Sequence, residues 1–165
     1  WLDGLVAAPM NIPDIVLAIA LLSFYTLLNM SLGLHSIVLS HAVFNIAFVC
    51  MVVRTRLKNF DRSIVEASID LGASELTTFR RVTLPVIAPG VIAAALLSFT
   101  LSIDEFIIAY FTAGAGQGST TFPMQIYAMI RFGVTPEINA IATIVIGFSF
   151  LLVLLSQRLN REAAA

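Results

Sequence analysis

Four stretches of the chain are almost uninterruptedly apolar, and the polar residues gather in short blocks between them. The stretches cover about residues 15–30, 36–53, 86–111 and 138–155. An α-helix rises about 1.5 Å per residue, so about 20 apolar residues cross a hydrocarbon core of about 30 Å. The third stretch exceeds that length, and the first two are short for a full span. Pro13-Asp14 reads as the start of the first helix. Pro85 and Pro89-Gly90 lead into the third. Thr135-Pro136-Glu137 opens the fourth with a cap, a proline in the first turn and an acid suited to the helix dipole. The pattern predicts an all-α integral membrane fold of about four transmembrane helices, forming one domain over residues 1–165.

Composition agrees. The chain is 59% hydrophobic and 12% charged, with a mean hydropathy of +0.96. A soluble domain carries about twice that share of charge. The positions of the charges are more telling than the net value of −1. Arg54, Arg56, Lys58, Arg62, Arg80 and Arg81 lie between the second and third stretches, and Arg158 and Arg161 follow the fourth. Only Arg131 lies between the third and fourth. The positive-inside rule then places the 54–81 loop, the C-terminus and residues 1–12 in the cytoplasm, and the 113–137 loop outside. The basic residues serve topology and are too few for nucleic-acid binding. The single Cys50 excludes an internal disulfide and reads as a small buried hydrophobe. The chain begins at Trp1 without a Met or a cationic leader, which suggests an N-terminally incomplete sequence.

The long basic loop has its own design. Ser63 and Glu66 are spaced as a capping box and predict a short helix to about Leu71, which Gly72 ends in the left-handed region. A second short helix is predicted from Ser74 to about Val82, stopped by Pro85. Ala67, Leu71 and Ala73 would offer a small apolar knob rimmed by Glu66, Asp70 and Glu75. On physics alone this is an interfacial loop lying on lipid or a docking knob for a cytoplasmic partner.

Glu66-Ala67-Ser68, three residues, Gly72, nine residues, and Val82-Thr83-Leu84-Pro85 resemble the EAA signature of ABC-importer permease subunits, which reads E-A-A, three residues, G, nine residues, I-x-L-P. Ser68 stands for Ala and Val82 for Ile. The resemblance implies a type I ABC-importer permease bundle of usually about six spans, with N-terminal spans missing from this sequence. It implies that residues 54–85 form a cytoplasmic coupling loop seated on ATP-binding ABC subunits, with Glu66, Ala67, Ser68, Gly72, Leu84 and Pro85 carrying the contact. It also implies a second permease subunit, an extracytoplasmic solute-binding protein, a bacterial inner-membrane location and no cofactor or nucleotide site of its own.

The third stretch contains two carboxylates, Asp104 and Glu105, preceded by Ser98 and Ser102. Acids inside a membrane span are costly and default to a functional hypothesis. They lie about 21–24 Å from the inner end of the helix. On one continuous helix Ser98, Ser102 and Glu105 share a face, with Asp104 about 100° away. They either hydrogen-bond a neighbouring helix or line a path that attracts a cation. Ser102-Ile-Asp104-Glu105-Phe106, Phe111-Thr112-x-Gly114, Phe122-Pro123-x-x-Ile126-Tyr127 and Gly133-Val-Thr-Pro136-Glu137-Ile-Asn139-Ala140 are similar to the spermidine/putrescine importer permeases. That resemblance implies a polyamine cargo, with Ser98, Ser102, Asp104 and Glu105 as the candidate path. The motif does not decide which acid meets the substrate.

His41 and Asn45 lie four residues apart on one helix face and suggest an interhelical hydrogen-bond pair or a cavity lining. A metal site lacks a third ligand. Gly114-Ala-Gly116-Gln-Gly118 lacks the lysine and spacing of a phosphate-binding loop and reads as a turn. A short outer helix is expected over 123–132, in an external loop of the kind that meets the solute-binding protein in such permeases. Other function classes remain: a permease for another small solute, a membrane scaffold tethering a cytoplasmic partner, or a membrane-embedded enzyme using His41 with Asp104 or Glu105.

Overall fold

The structure is a computed structural model that describes residues 2–58, 60–115 and 118–162. Gly116 and Gln117 of the glycine-rich turn, Trp1, Asn59 and the tail Ala163–Ala165 lie outside the described residues. The described residues are mainly helical and contain no strand. In chain order the helices are α1 (Leu2–Asn11), α2 (Asp14–Leu27), α3 (Leu34–Lys58), α4 (Ser63–Asp70), α5 (Glu75–Thr78), α6 (Leu84–Asp104), α7 (Ile107–Thr112), α8 (Phe122–Ile130) and α9 (Pro136–Glu162). A π-helical turn, Phe79–Thr83, joins α5 to α6.

Among the described residues three helical segments are long and apolar enough to cross a membrane: Leu34–Lys58, Glu75–Asp104 and Pro136–Arg158. The first of the four expected spans is instead the 14-residue α2, which rises only about 21 Å. Asn29 ends that segment in the left-handed region, at φ 52. The third expected span does not run to Phe111. It ends at Asp104, and the chain restarts as α7.

The three long helices pack side by side, α6 between α3 and α9. α2 lies on α7, and α8 touches both α6 and α9. Two small apolar clusters hold the short helices. Leu17, Ala18 and Ile108 form one, with Phe44 and Phe111 against it. Ile37, Ala109 and Ala113 form the other, with Met124. Polar contacts stitch the helices together, as expected where lipid gives no hydrophobic drive for helix association. The Ser156 hydroxyl donates to the Ala93 carbonyl at 2.9 Å, and Tyr25 and Ser40 hydroxyls pair at 2.9 Å. Much of the apolar surface faces outward: Ile144 is 71% exposed and Ile146 69%, which suits lipid or a partner subunit.

Glycine permits two close approaches. Gly90 sits beneath the aliphatic stem of Arg56, where a Cβ would lie 2.3 Å from Arg56 Cγ, so the C-terminal end of α3 and the N-terminal part of α6 meet tightly. Gly114, at φ +68, packs on Leu32, whose Cβ and carbonyl oxygen would lie 2.7 and 3.0 Å from an added Cβ. With the Ser36 hydroxyl donating to the Thr112 carbonyl at 2.7 Å, this clamps the α2–α3 loop to the end of α7.

Candidate functional site

Of the expected 54–85 loop, residues 54–58 continue α3, and two short helices follow around Gly72, with one change at the start of the first. Ser63 does not cap α4; its backbone N–H donates instead to Asp61 Oδ1 at 2.9 Å. That bond holds the Asp61 carboxyl below its ordinary value, first through the backbone N–H of Ser63 and then through its hydroxyl. The spacing of Ser63 and Glu66 therefore marks the right helix with the wrong cap, because Asp61 reaches the first orphan N–H from two residues upstream. Gly72 ends α4 at φ +84, and the Ala73 N–H turns back to the Ser68 carbonyl. Ser74 caps α5 through Thr77.

Glu66 and Ala67 lie exposed on α4. Leu71 is 88% exposed and forms the tip of the element. Glu66 also borders a cavity of about 420 Å³ together with Phe60, Arg62 and Thr83. Ser68 has a task that its sequence position does not disclose: its hydroxyl pairs with that of buried Thr78 at 3.0 Å and ties α4 to α5.

Pro85 does not stop the second helix. Residues 75–104 form one continuous rod, with Leu84 and Pro85 inside it. The Leu84 N–H bonds to the Phe79 carbonyl, five residues back. This widened turn relieves the contact that a proline ring makes with the carbonyl four residues before it. The loop and α6 are thus one mechanical piece.

At the Asp104 end of that rod the four candidate path residues separate. Glu105 leaves the helix with φ −73 and ψ 119. Its carboxylate turns onto α7, accepting the N–H of Ile108 at 2.9 Å and of Ala109 at 3.0 Å. It is 9% exposed, and His41 Nε2 lies 3.5 Å from Oε2. So Glu105 does not share a helix face with Ser98 and Ser102, because capping two orphan amides of a buried helix offsets much of the burial of its charge. His41 Nδ1 in turn pairs with Ser102 Oγ at 2.7 Å. Ser98 and Ser102 line a groove of about 690 Å³ between α3 and α6, with His41 and Asn45. Asn45 donates to the His41 carbonyl on its own helix at 2.9 Å, so of the expected polar pair only His41 bonds across helices.

Asp104 faces the other way. It is exposed, accepts from Ser149 of α9 at 3.4 Å, and borders a second groove of about 300 Å³ with Phe106, Phe122 and Tyr127. The Phe106 and Tyr127 rings meet at a tilt of 42°, with centroids 4.9 Å apart. An exposed carboxylate beside aromatic faces suits an organic cation. Sequence reasoning missed the break at Glu105. Its signal was an Asp-Glu pair directly ahead of an apolar run, which is also how a helix start reads. No group of three His, Cys, Asp or Glu among the described residues could hold a metal ion.

Comparison with known proteins gives a consistent answer. Residues 1–162 match the family model of the binding-protein-dependent transport system inner membrane component. The chain is 40% identical, over 97% of its length, to the spermidine/putrescine transport system permease protein PotC of Haemophilus influenzae. It is 42% identical, over 98% of its length, to PotC of Escherichia coli, and 42% identical, over 87%, to the putrescine transport system permease protein PotI of Escherichia coli. It spans 62%, 61% and 52% of these relatives. A structure of the MetNI methionine ABC transporter in inward-facing conformations superposes with a TM-score of 0.70 at 22% identity, over 97% of this chain and 73% of that one. That likeness establishes the fold. The chain belongs to the binding-protein-dependent transport system inner membrane component family, a family of transport permeases and not of enzymes.

Proposed function

We propose that the chain is part of the permease of an ATP-driven importer for linear polyamines such as spermidine and putrescine. The observation that carries this reading is the continuous rod 75–104. One end is fastened to the helix–Gly–helix loop, and the other carries Asp104 beside an aromatic groove. A push on the loop therefore reaches the acidic end without crossing a hinge in the helix. The 42% identity to polyamine permeases supports the cargo.

In this reading Glu66, Ala67, Ser68 and Gly72 dock on a partner ATPase, and Leu84 and Pro85 carry the motion into α6. A second permease subunit completes the path, and a solute-binding protein delivers cargo from outside. ATP is hydrolysed by the partner. The loop and C-terminus lie in the cytoplasm, following the cations. Asp104 attracts the cargo, and Glu105 shapes the path by holding α7.

Two measurements test it. In the assembled transporter, Gly72→Pro should abolish stimulation of ATP hydrolysis by the loaded binding protein; stimulation at the wild-type level would refute coupling through this loop. Asp104→Asn should lower polyamine uptake about tenfold or more, the loss of a charge-assisted hydrogen bond; unchanged uptake would remove Asp104 from the path. Orientation is checked by labelling Leu71→Cys and Phe132→Cys in intact cells. Only the second should react with an impermeant reagent.

A further inference from the structure

The C-terminal end of α3 and the link to α4 border a cavity of about 720 Å³. Three cations line it: Arg54 and Lys58 of α3, and Arg62 just ahead of α4. All three are exposed. Arg54 and Lys58 are four residues apart and share a helix face. The link brings Phe60 and Arg62 to the same cavity. No lining residue is acidic. Asp61 turns its carboxylate to the Ser63 N–H at 2.9 Å. Arg62 also borders the neighbouring cavity with Glu66. Yet among the described residues no carboxylate stands within ion-pair distance of Lys58 or Arg62.

Like charges gathered on one face repel, so the cluster calls for a reason. The helix dipole supplies one for Lys58, which lies in the last turn of α3. It supplies none for Arg62. That residue stands at the N-cap of α4, and its side chain makes no capping bond. A cation there sits at the helix end that favours an anion. Arg56, the other cation in the last turn of α3, lays its stem over Gly90 instead.

Position along α3 selects the ligand. α3 is long and apolar enough to cross a membrane, and Lys58 is its last residue. The cavity therefore lies at the level of lipid headgroups. Met51 and Leu57 also border it and are 59% and 44% exposed. Met51 lies about 10 Å before Lys58 along the helix axis, toward the hydrocarbon core. An occupant thus meets cations at one end and apolar side chains at the other. The planar fork of an arginine suits a phosphate group, and basic pockets at the ends of membrane helices take anionic headgroups. We propose that this cavity binds an anionic phospholipid, with Arg54, Lys58 and Arg62 around its phosphate and Met51 and Leu57 against its acyl chains. Such a site depends on α3 spanning the membrane and not on the identity of the cargo.

The test uses the whole assembled transporter, taken from equal parts of phosphatidylcholine and phosphatidylglycerol, with retained lipids counted by native mass spectrometry. The wild type should retain phosphatidylglycerol in preference. Lys58→Gln and Arg62→Gln should each lower that preference about fivefold, the worth of one cation near a membrane surface. Together they should lower it about twentyfold. Lys58→Arg, which keeps the charge, should preserve it. Arg80→Gln with Arg81→Gln removes two cations outside the cavity and should leave the preference nearly unchanged. Equal retention of the two lipids by the wild type would overturn the site, as would a wild-type preference in the Lys58 and Arg62 double variant. An equal loss from the Arg80 and Arg81 pair would overturn it too, in favour of diffuse attraction. So would release of the phosphatidylglycerol by inorganic phosphate, which would mark a site for the free anion. If the double variant does not assemble, the single variants decide. Uptake is not read, so a failure of the polyamine reading would leave this result standing.

Discussion

The two ends of the rod 75–104 are built on opposite principles. The loop end is stabilised by contacts close in sequence: Asp61 to Ser63, Ala73 to Ser68, Ser74 to Thr77. Its apolar tip, Leu71, faces out. The Asp104 end is stabilised by contacts between distant segments: Ser36 to Thr112, His41 to Ser102 and to Glu105, Leu32 against Gly114. The loop holds its shape through bonds of its own, whereas the Asp104 end holds its shape only within the packed bundle. A site within the membrane must satisfy its backbone groups internally.

The largest expected effect falls at the Asp104 end. Glu105→Ala should cost about 2–4 kcal/mol, because two amides of α7 lose their acceptor in a dry setting. Thermal unfolding in detergent would show it, and a loss below about 1 kcal/mol would mean that α7 does not depend on this carboxylate. Gly114→Ala comes next, at about 2 kcal/mol, since it combines a positive φ with overlap on the Leu32 backbone. By contrast Gly72→Ala meets open space and strains only the backbone, so it should cost about 1 kcal/mol. Equal losses at the two glycines would break the contrast between the ends.

Ser68→Ala should cost about 1 kcal/mol through the lost Thr78 bond. Its signature should be local: faster hydrogen exchange in α4, with uptake KM unchanged. The smallest effect concerns Asp61. Its folded pKa is lowered, so its contribution to the start of α4 is present above the ordinary carboxylate pKa of about 4 and fades as pH falls through the lower folded value. Exchange at the Ser63 amide should accelerate in that acidic window, and Asp61→Asn should flatten the dependence.

The same contrast explains how much the chain discloses before folding. The loop was legible because its signals are local: Gly72 and Ser74 act where they stand. The apolar runs that became α3 and α9 were legible for the same reason. The Asp104 end was not. A run of apolar residues from 86 to 111 gives no notice that it will break, since the break is set by Glu105 finding the amides of α7 and by His41 from another helix. Nor does the spacing of Ser98, Ser102 and Asp104 show that they part into two grooves. That depends on α8 and α9, which wall the groove beside Asp104. Ser68, a small departure from the family's alanine, became informative only once Thr78 stood opposite it.

The widened turn at Phe79–Thr83 has a consequence for numbering faces along the rod. A bond that closes over five residues instead of four absorbs one extra residue without rotating the helix beyond it. Counting at about 100° per residue from the loop to Asp104 therefore misplaces the acidic face by about a quarter turn. The rod carries a one-residue slack near its N-terminal end, and the proline at 85 is what keeps it from tightening. Shortening the 79–83 segment by one residue would leave the loop and Asp104 in their present alignment but drive the Pro85 ring into the turn before it. Shortening α6 itself by one residue would keep the proline comfortable and swing the acid to a different wall.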